Sequence, residues 1–274
     1  MILTISRAEC FSPNSVDKDA AILECVSKKL IHEGYDVVNV SETALKSDVA
    51  ASAYISMARS PEALAILREK EREGALVVNG TEGVALCCNR RRLTSKMRMA
   101  GIPIPADKGA DGYWLKRGDG VTESCNDVQF AANDEELEAV TERMKQHGIN
   151  DIMVSAHVKG DLIKFYGVRG SRFFRAYYPG DDGQWKFFDE LRNGCPNHYL
   201  FSIAALHDVA ERTAMLADVD VYGGDCIICS DGSISIIDFN DWPSFSRCRE
   251  EAAVAITRRV IEDMVCNHKE MKKK

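Results

Sequence analysis

Residues 223–245, GGDCIICSDGSISIIDFNDWPSF, decide the fold. They read as a hairpin: 225–229 is an apolar run, Ser230-Asp231-Gly232-Ser233 is the turn, and 234–239 is the return strand, alternating Ile and Ser before Ile237. Asp225 opens the first strand and Asp238 closes the second, so a short turn brings the two carboxylates together at one end. Residues two apart on a strand share a face, and Asn240 therefore aims the same way as Asp238. Two carboxylates and an amide oxygen are hard donors on a rigid ledge. They suit a Mg²⁺ ion that keeps several waters and bridges nucleotide phosphates. Two acids that merely solvate strand ends would not account for three oxygen ligands gathered at matching ends of an apolar hairpin.

The whole chain sets the bounds. Its 274 residues suffice for one composite domain or two to three small lobes, and 45% apolar with 28% charged residues is ordinary for a globular protein. A net charge of -7 argues against binding nucleic acid by bulk electrostatics, while leaving room for a locally basic cleft around a small anion. The start, MILTISRAEC, has no basic region ahead of a long apolar stretch, and no run reaches about 18 apolar residues. The expectation is a cytoplasmic protein with no membrane partner. Ten cysteines lie scattered, which points to free thiols. Cys226 and Cys229 are three apart on a strand and face opposite ways, so they read as small buried hydrophobes, as do Cys87 and Cys88.

Residues 1–88 alternate strands (1–6, 35–40, 75–78) with helices (17–32, 61–73) closed by Gly34 and Gly74, the pattern of a small parallel α/β lobe. A polar loop at 79–82 and a helix at 93–100 follow. Ile102-Pro103-Ile104-Pro105 then forces extended backbone and forms a hinge. A second lobe, 89–160, takes strands at 113–116, 128–131 and 151–158, a helix at 134–147 and a polar glycine-containing loop at 118–124. A third, 161–274, takes strands at 161–168 and 172–178, a helix at 203–217, the hairpin and a closing helix at 249–265. Lys272 to Lys274 read as a solvated tail.

Several cations attend this frame. Arg90-Arg91-Arg92, with Lys96 and Arg98, sits at a helix start, where basic residues are unfavourable unless an anion is near. Lys116 leaves an apolar strand toward the glycine loop, placed to touch phosphate. In Leu162-Ile163-Lys164-Phe165-Tyr166 the odd positions face the core, which turns Leu162, Lys164 and Tyr166 to the other side as cleft residues. Arg169 and Arg175 follow, and Arg175 offers the planar fork that binds phosphate or carboxylate bidentately. Zinc spacings, a G-x-S-x-G elbow, a P-loop and a G-x-G-x-x-G turn are all missing from the sequence.

The order of parts resembles the ATP-grasp superfamily over essentially the whole chain: an α/β lobe, a proline linker, a lysine strand before a glycine loop, a hinge strand, then Asp and Asp-x-Asn on a hairpin. The resemblance implies an ATP-grasp fold of α+β lobes behind a parallel α/β lobe, with ATP clasped between antiparallel sheets. It further implies that Arg90, Lys116 and Lys164 bind phosphates, that the backbone of Ala156, His157 and Val158 meets the adenine, and that Asp225, Asp238 and Asn240 hold Mg²⁺. Within the superfamily the motifs are most similar to the inositol-phosphate kinases. Lys164-Phe165-Tyr166-Gly167-Val168 is similar to their K-V-Y-V-V-G strand, and residues 238–245 to their D-V-N-Y-F-P-G-Y. Asn89-Arg90 stands where they carry D-R. Residues 116–125 resemble their K-x-x-x-D-G-x-x-x-S-H run with one residue fewer, and Cys125 replaces its histidine. Ser155 and Ala156 stand at their acidic or amide hinge positions, and Ser244 at their late glycine.

These observations lead to an ATP- and Mg-dependent phosphoryl-transfer enzyme, read as a kinase of a phosphorylated polyol such as an inositol phosphate. Lys164, Arg169 and Arg175 would be the catalytic and acceptor-orienting cations, with a small anionic acceptor. The rival is a carboxylate–amine ligase of the same fold working through an acyl phosphate, and a third reading is a non-catalytic nucleotide-binding module. Trp242 to Phe245 would form a pocket wall or pack as core.

Overall fold

A computed structural model describes residues 1–12, 15–120, 124–182 and 192–271. Three sheets carry the chain. The first is parallel, in the order β2-β1-β3-β4: β1 (Ile2–Ser6), β2 (Val37–Ser41), β3 (Ala53–Ser56) and β4 (Leu76–Val78). The alternation of these strands with α1 (Val16–His32) and α2 (Pro61–Arg72) makes them parallel, because each crossover helix returns the chain to the same end. Strand β3, only AYIS, is fully buried between β1 and β4, and the sequence reading passed over it. One face of the sheet packs on α1, whose Ile22, Val26 and Leu30 meet Ala252, Ile256 and Val260 of the closing helix α7 (Arg249–Met271). The other face, with Leu3, Ile5 and Tyr54, packs on α2.

Residues 79–82 are not a polar loop. Helix α3 (Thr81–Cys88) begins there because the Glu71 carboxylate accepts from the Thr81 N–H at 2.8 Å, while Val84 and Leu86 are buried. Helix α4 (Arg90–Met99) likewise starts three residues earlier than expected, since the Asn89 side chain caps it by accepting from the Arg92 N–H at 2.9 Å.

The second sheet has the order β6-β5-β7, from β5 (Tyr113–Arg117), β6 (Val128–Ala131) and β7 (Ile152–Ala156), backed by α5 (Asp134–Gln146). The third is antiparallel in the order β11-β10-β8-β9, from β8 (Asp161–Val168), β9 (Phe174–Tyr177), β10 (Val221–Ile228) and β11 (Ile234–Asp241), backed by α6 (Ile203–Ala217). Strand β8 alternates as its sequence requires, with Ile163 and Phe165 in the core and Leu162, Lys164 and Tyr166 on the open face. Segment 242–245 divides between the two readings. Trp242 and Phe245 are fully buried core, both with backbone in the left-handed region (φ 39° and 48°), while Pro243 and Ser244 border the cavity.

The described cysteines are all unbridged, and among the described residues no helix is long and apolar enough to cross a membrane. Part of the glycine loop, 121–123, and the tail 272–274 lie outside the described residues.

Candidate active site

A cavity of about 1440 Å³ opens between the second and third sheets and runs down to the C-terminal edge of the parallel sheet. Single small-ligand pockets span roughly 300–1,000 Å³, so there is room for more than one substrate. Its charged row is built by strand register. Asp225 on β10 pairs with Lys164 on β8 and with Asp238 on β11, which sets three ionisable side chains abreast on neighbouring strands. The Lys164 Nζ lies 3.3 Å from the Asp225 carboxylate, and the Asn240 amide donates to Asp238 at 3.0 Å.

A bulge follows this row. Asp225 opposes Asp238, but Cys226 opposes Ile236, which leaves Ile237 without a partner on β10. Its freed carbonyl accepts from the Lys116 Nζ at 2.9 Å, across the cavity from β5, and the Ile236 N–H donates to the Pro103 carbonyl of the hinge at 2.8 Å. The irregularity therefore ties the two sheets together at the charged row. Arg90 completes the group: it donates to the Arg117 carbonyl at 2.7 Å and stands 3.8 Å from Asp238.

Burial works against the Asp238 charge, but Arg90, Lys116, the Asn240 amide and Lys164 outweigh it and hold the carboxyl below its usual range. Burial acts on Lys116 in the other direction and lowers its pKa, with Asp238 opposing and Arg90 adding to the fall. Two carboxylates directly opposite each other on adjacent strands repel unless a cation stands between them. With the Asn240 amide alongside, the donor set fits a hard divalent cation. Among the described residues no group of three or more His, Cys, Asp or Glu side chains gathers as a metal centre, so such an ion would complete its shell with water and phosphate oxygens.

At the hinge, Ala156, His157 and Val158 all border the cavity. The Ala156 and His157 N–H groups donate to the carbonyls of Ala106 and Gly112, at 2.7 and 2.8 Å. The Val158 N–H has no acceptor among the described residues. His157 also accepts from the Trp114 indole at 3.1 Å, and the Arg192 guanidinium lies 3.7 Å above the Phe130 ring beside them.

Arg169 and Arg175 do not reach the cavity. Arg169 is paired with Asp218 and Asp220 at 3.1 and 2.9 Å on the far side of the sheet end, and Arg175 pairs with Glu251 and covers the Phe173 ring. Arg175 is in register with Tyr166 and shares its face, but it stands on the edge strand β9, where Glu251 of α7 takes its guanidinium before it can reach the cavity. Arg7, Arg59, Arg192 and Arg247, none of them selected by the sequence reading, also border the cavity. Arg7 directly follows β1 and Arg59 lies three residues after β3, so both stand at the C-terminal edge of a parallel sheet, where such sheets bind ligands. That rule was the available signal.

No protein-family model matches the chain, and no curated protein matches it by sequence. Solved structures do. A D-alanine–D-alanine ligase from Coxiella burnetii superposes with a TM-score of 0.63 at 12% identity, covering 100% of this chain and 97% of that one. A RimK-domain ATP-grasp protein from Sphaerobacter thermophilus gives 0.67 at 15% identity, covering 94% and 98%. The chain has the ATP-grasp fold. A D-alanine–D-alanine ligase from Bacillus anthracis complexed with ATP gives 0.61 at 12% identity, with 96% and 98% covered. In this fold the cavity is the cleft between the two antiparallel sheets.

Proposed function

We propose that the protein is an ATP-dependent carboxylate–amine ligase that works through an acyl phosphate. The observation that carries this reading is the row Lys164, Asp225 and Asp238, faced across the cleft by Lys116 and Arg90. Such a row can hold a triphosphate and neutralise the charge that develops as its terminal phosphoryl group moves. The Val158 N–H supplies a donor, and apolar side chains that border the same cavity, Met153 and Ile236 among them, supply walls for adenine. Asp225, Asp238 and the Asn240 amide oxygen would hold Mg²⁺, which would supply positive charge against the negative charge of the transferred group. Lys116 and Lys164 would flank the transferred group. A substrate carboxylate oxygen attacks the terminal phosphorus, the bond to ADP breaks, and the acyl phosphate forms. An amine then attacks the carbonyl carbon, phosphate leaves, and the nitrogen releases a proton to solvent.

Two of the three neighbours named above carry ligase names, and they favour this reading over the phosphorylated-polyol kinase. The runs at 164–168 and 238–245 keep the kinase as the second reading. ADP release from Mg-ATP, measured against acids with and without amines and against inositol phosphates, separates them. Turnover that needs both acid and amine is expected. Turnover on a polyol phosphate alone would overturn the ligase, and ATP binding without turnover on any acceptor would leave only a nucleotide-binding module.

A further inference from the structure

The floor of the cavity, away from the phosphate row, is lined by a chain of four alternating charges. Asp19, in the first turn of α1, accepts from the Arg7 Nη1 at 3.2 Å and from the Ser12 hydroxyl at 2.7 Å, both on Oδ2. The Arg7 Nη2 stands 3.7 Å from Asp241, and Asp241 in turn accepts from the Arg59 Nη2 at 2.6 Å. All four side chains are more than nine-tenths buried, and all four border the cavity.

Arg7 is fully engaged, since it also donates to the carbonyls of Met57 and Trp242. Asp241 is flanked by both arginines; it accepts from Arg59 on Oδ1, while its buried Oδ2, 3.7 Å from Arg7, accepts no hydrogen bond among the described residues. The two outer members are open as well. Among the described residues the Asp19 Oδ1 accepts no hydrogen bond, and neither the Nη1 nor the Nε of Arg59 donates one. Buried polar groups in native proteins find partners, so open ones facing a cavity mark where a ligand or ordered water completes the set. A carboxylate oxygen without a donor asks for a cation, and a guanidinium edge without an acceptor asks for a carboxylate.

We infer that this floor binds an amino-acid-type zwitterion, its ammonium on the Asp19 Oδ1 and its carboxylate on the Arg59 Nη1, as the amine-bearing substrate of the ligation. The charge balance supports this class over a polyphosphate. Two arginines face two aspartates here, whereas a polyphosphate requires cations without neighbouring carboxylates, because Asp19 and Asp241 would repel it. The assignment rests on the ligase reading of the cleft and specifies one of its two organic substrates.

The test is direct binding by isothermal titration, with no turnover needed. Alanine, glutamate, γ-aminobutyrate and alanyl-alanine are each compared with their N-acetyl and C-terminal amide forms, with inorganic phosphate and inositol hexakisphosphate as further probes. The free zwitterion that fits should bind roughly tenfold or more tighter than either blocked form, the ratio expected for one lost hydrogen bond to a charged group. Asp19→Asn should erase the preference over the N-acetyl form only, and Arg59→Gln the preference over the amide only. Arg59→Lys, which leaves Asp241 a cation, should keep the fold and part of the carboxylate preference. A damaged fold would lower all affinities together, so this crossed pattern separates recognition from structure. Equal affinity for free and blocked forms, tighter binding of either phosphate probe with loss in the Arg59 variants, or no zwitterion binding at all would overturn the inference. In parallel assays, the crossed pattern without amide product would remove the ligase reading and support the floor site. Amide formed from amines that carry no carboxylate would overturn the floor site and leave the ligase.

Discussion

The two ends of the cavity use the same side-chain chemistry to opposite purposes. At the phosphate row the pairs are loose: Lys164 and Asp225 stand 3.3 Å apart with a fifth to a quarter of each side chain exposed, Arg90 and Asp238 stand 3.8 Å apart, and Lys116 rests on a carbonyl instead of an acid. At the floor the Arg59–Asp241 pair closes to 2.6 Å, the Asp241 side chain is fully buried, and Arg7 is capped by two backbone carbonyls. Loose, partly solvated pairs contribute little to stability and give way easily to a ligand. Tight buried pairs are hard to break without leaving an uncompensated charge. The row is thus open to the phosphates proposed for it, while the centre of the floor chain joins β1 and the segment after β3 to the end of β11. Asp19 and Arg59 at its two ends keep open hydrogen-bonding atoms, as does the buried Asp241 Oδ2 between them.

The largest expected effect tests the structural half of this contrast. Asp241→Ala strands two buried guanidinium groups and should cost about 3–5 kcal/mol of stability, read as a lowered urea midpoint with an unchanged slope. A loss below about 1 kcal/mol would mean that the floor pairs are as expendable as surface ones. Lys164→Met probes the other half. It should lower the rate of ADP release roughly 10²–10³-fold, as removal of a single preorganised charge-stabilising group does, with a change in stability of at most about 1 kcal/mol. A variant that unfolds instead would erase the distinction between the ends.

Gly224→Ala should couple the two properties. A Cβ at Gly224 would fall 2.3 Å from the Asp238 carbonyl oxygen and 2.6 Å from the Phe165 ring, so β10 and β11 must separate beside the Asp225–Asp238 pair. Overpacking of this kind costs about 1–3 kcal/mol, and a shift of the paired carboxylates by a fraction of an ångström should lower turnover by up to about a hundredfold. Normal turnover in a destabilised variant would show that the row tolerates displacement.

How much of this was legible follows from distance along the chain. Asp225, Asp238 and Asn240 lie on one hairpin, so period-two alternation and a short turn suffice to bring them together, and the alternation of β8 likewise turns Lys164 inward. The Ile237 bulge was not legible: the Ile and Ser alternation stops before Ile237, but only pairing shows that this residue is the extra one. Arg7, Asp19, Arg59 and Asp241 come from four separate elements whose meeting depends on the order of the parallel sheet, and β3, which sets that order, was missed. Without β3, Arg59 has no strand end to stand on. Arg169 and Arg175 were misplaced because a count along β8 and β9 gives the face of a residue but not which acids the neighbouring helices bring to it.

The smallest expected effect is a fraction of a proton, and it sharpens the account of the loose end. Partial burial lowers the pKa of Lys116, and the nearby acids restore only part of the loss. The folded protein therefore binds fewer protons than the unfolded chain between the lowered value and the ordinary value of 10.5, and its stability rises with pH through that window. The ligand-free protein thus holds the charged form of Lys116 at a cost. Triphosphate oxygens placed beside the Nζ favour the ammonium and raise its pKa, so nucleotide binding should take up protons in the window just below the ordinary lysine value of 10.5. Titration calorimetry in buffers of different ionisation enthalpy reads this as a slope, positive for the native protein and near zero for Lys116→Met. Proton release in its place would show that the nucleotide binds away from Lys116, and that the carbonyl of Ile237, not a phosphate, is the partner this lysine is built to keep.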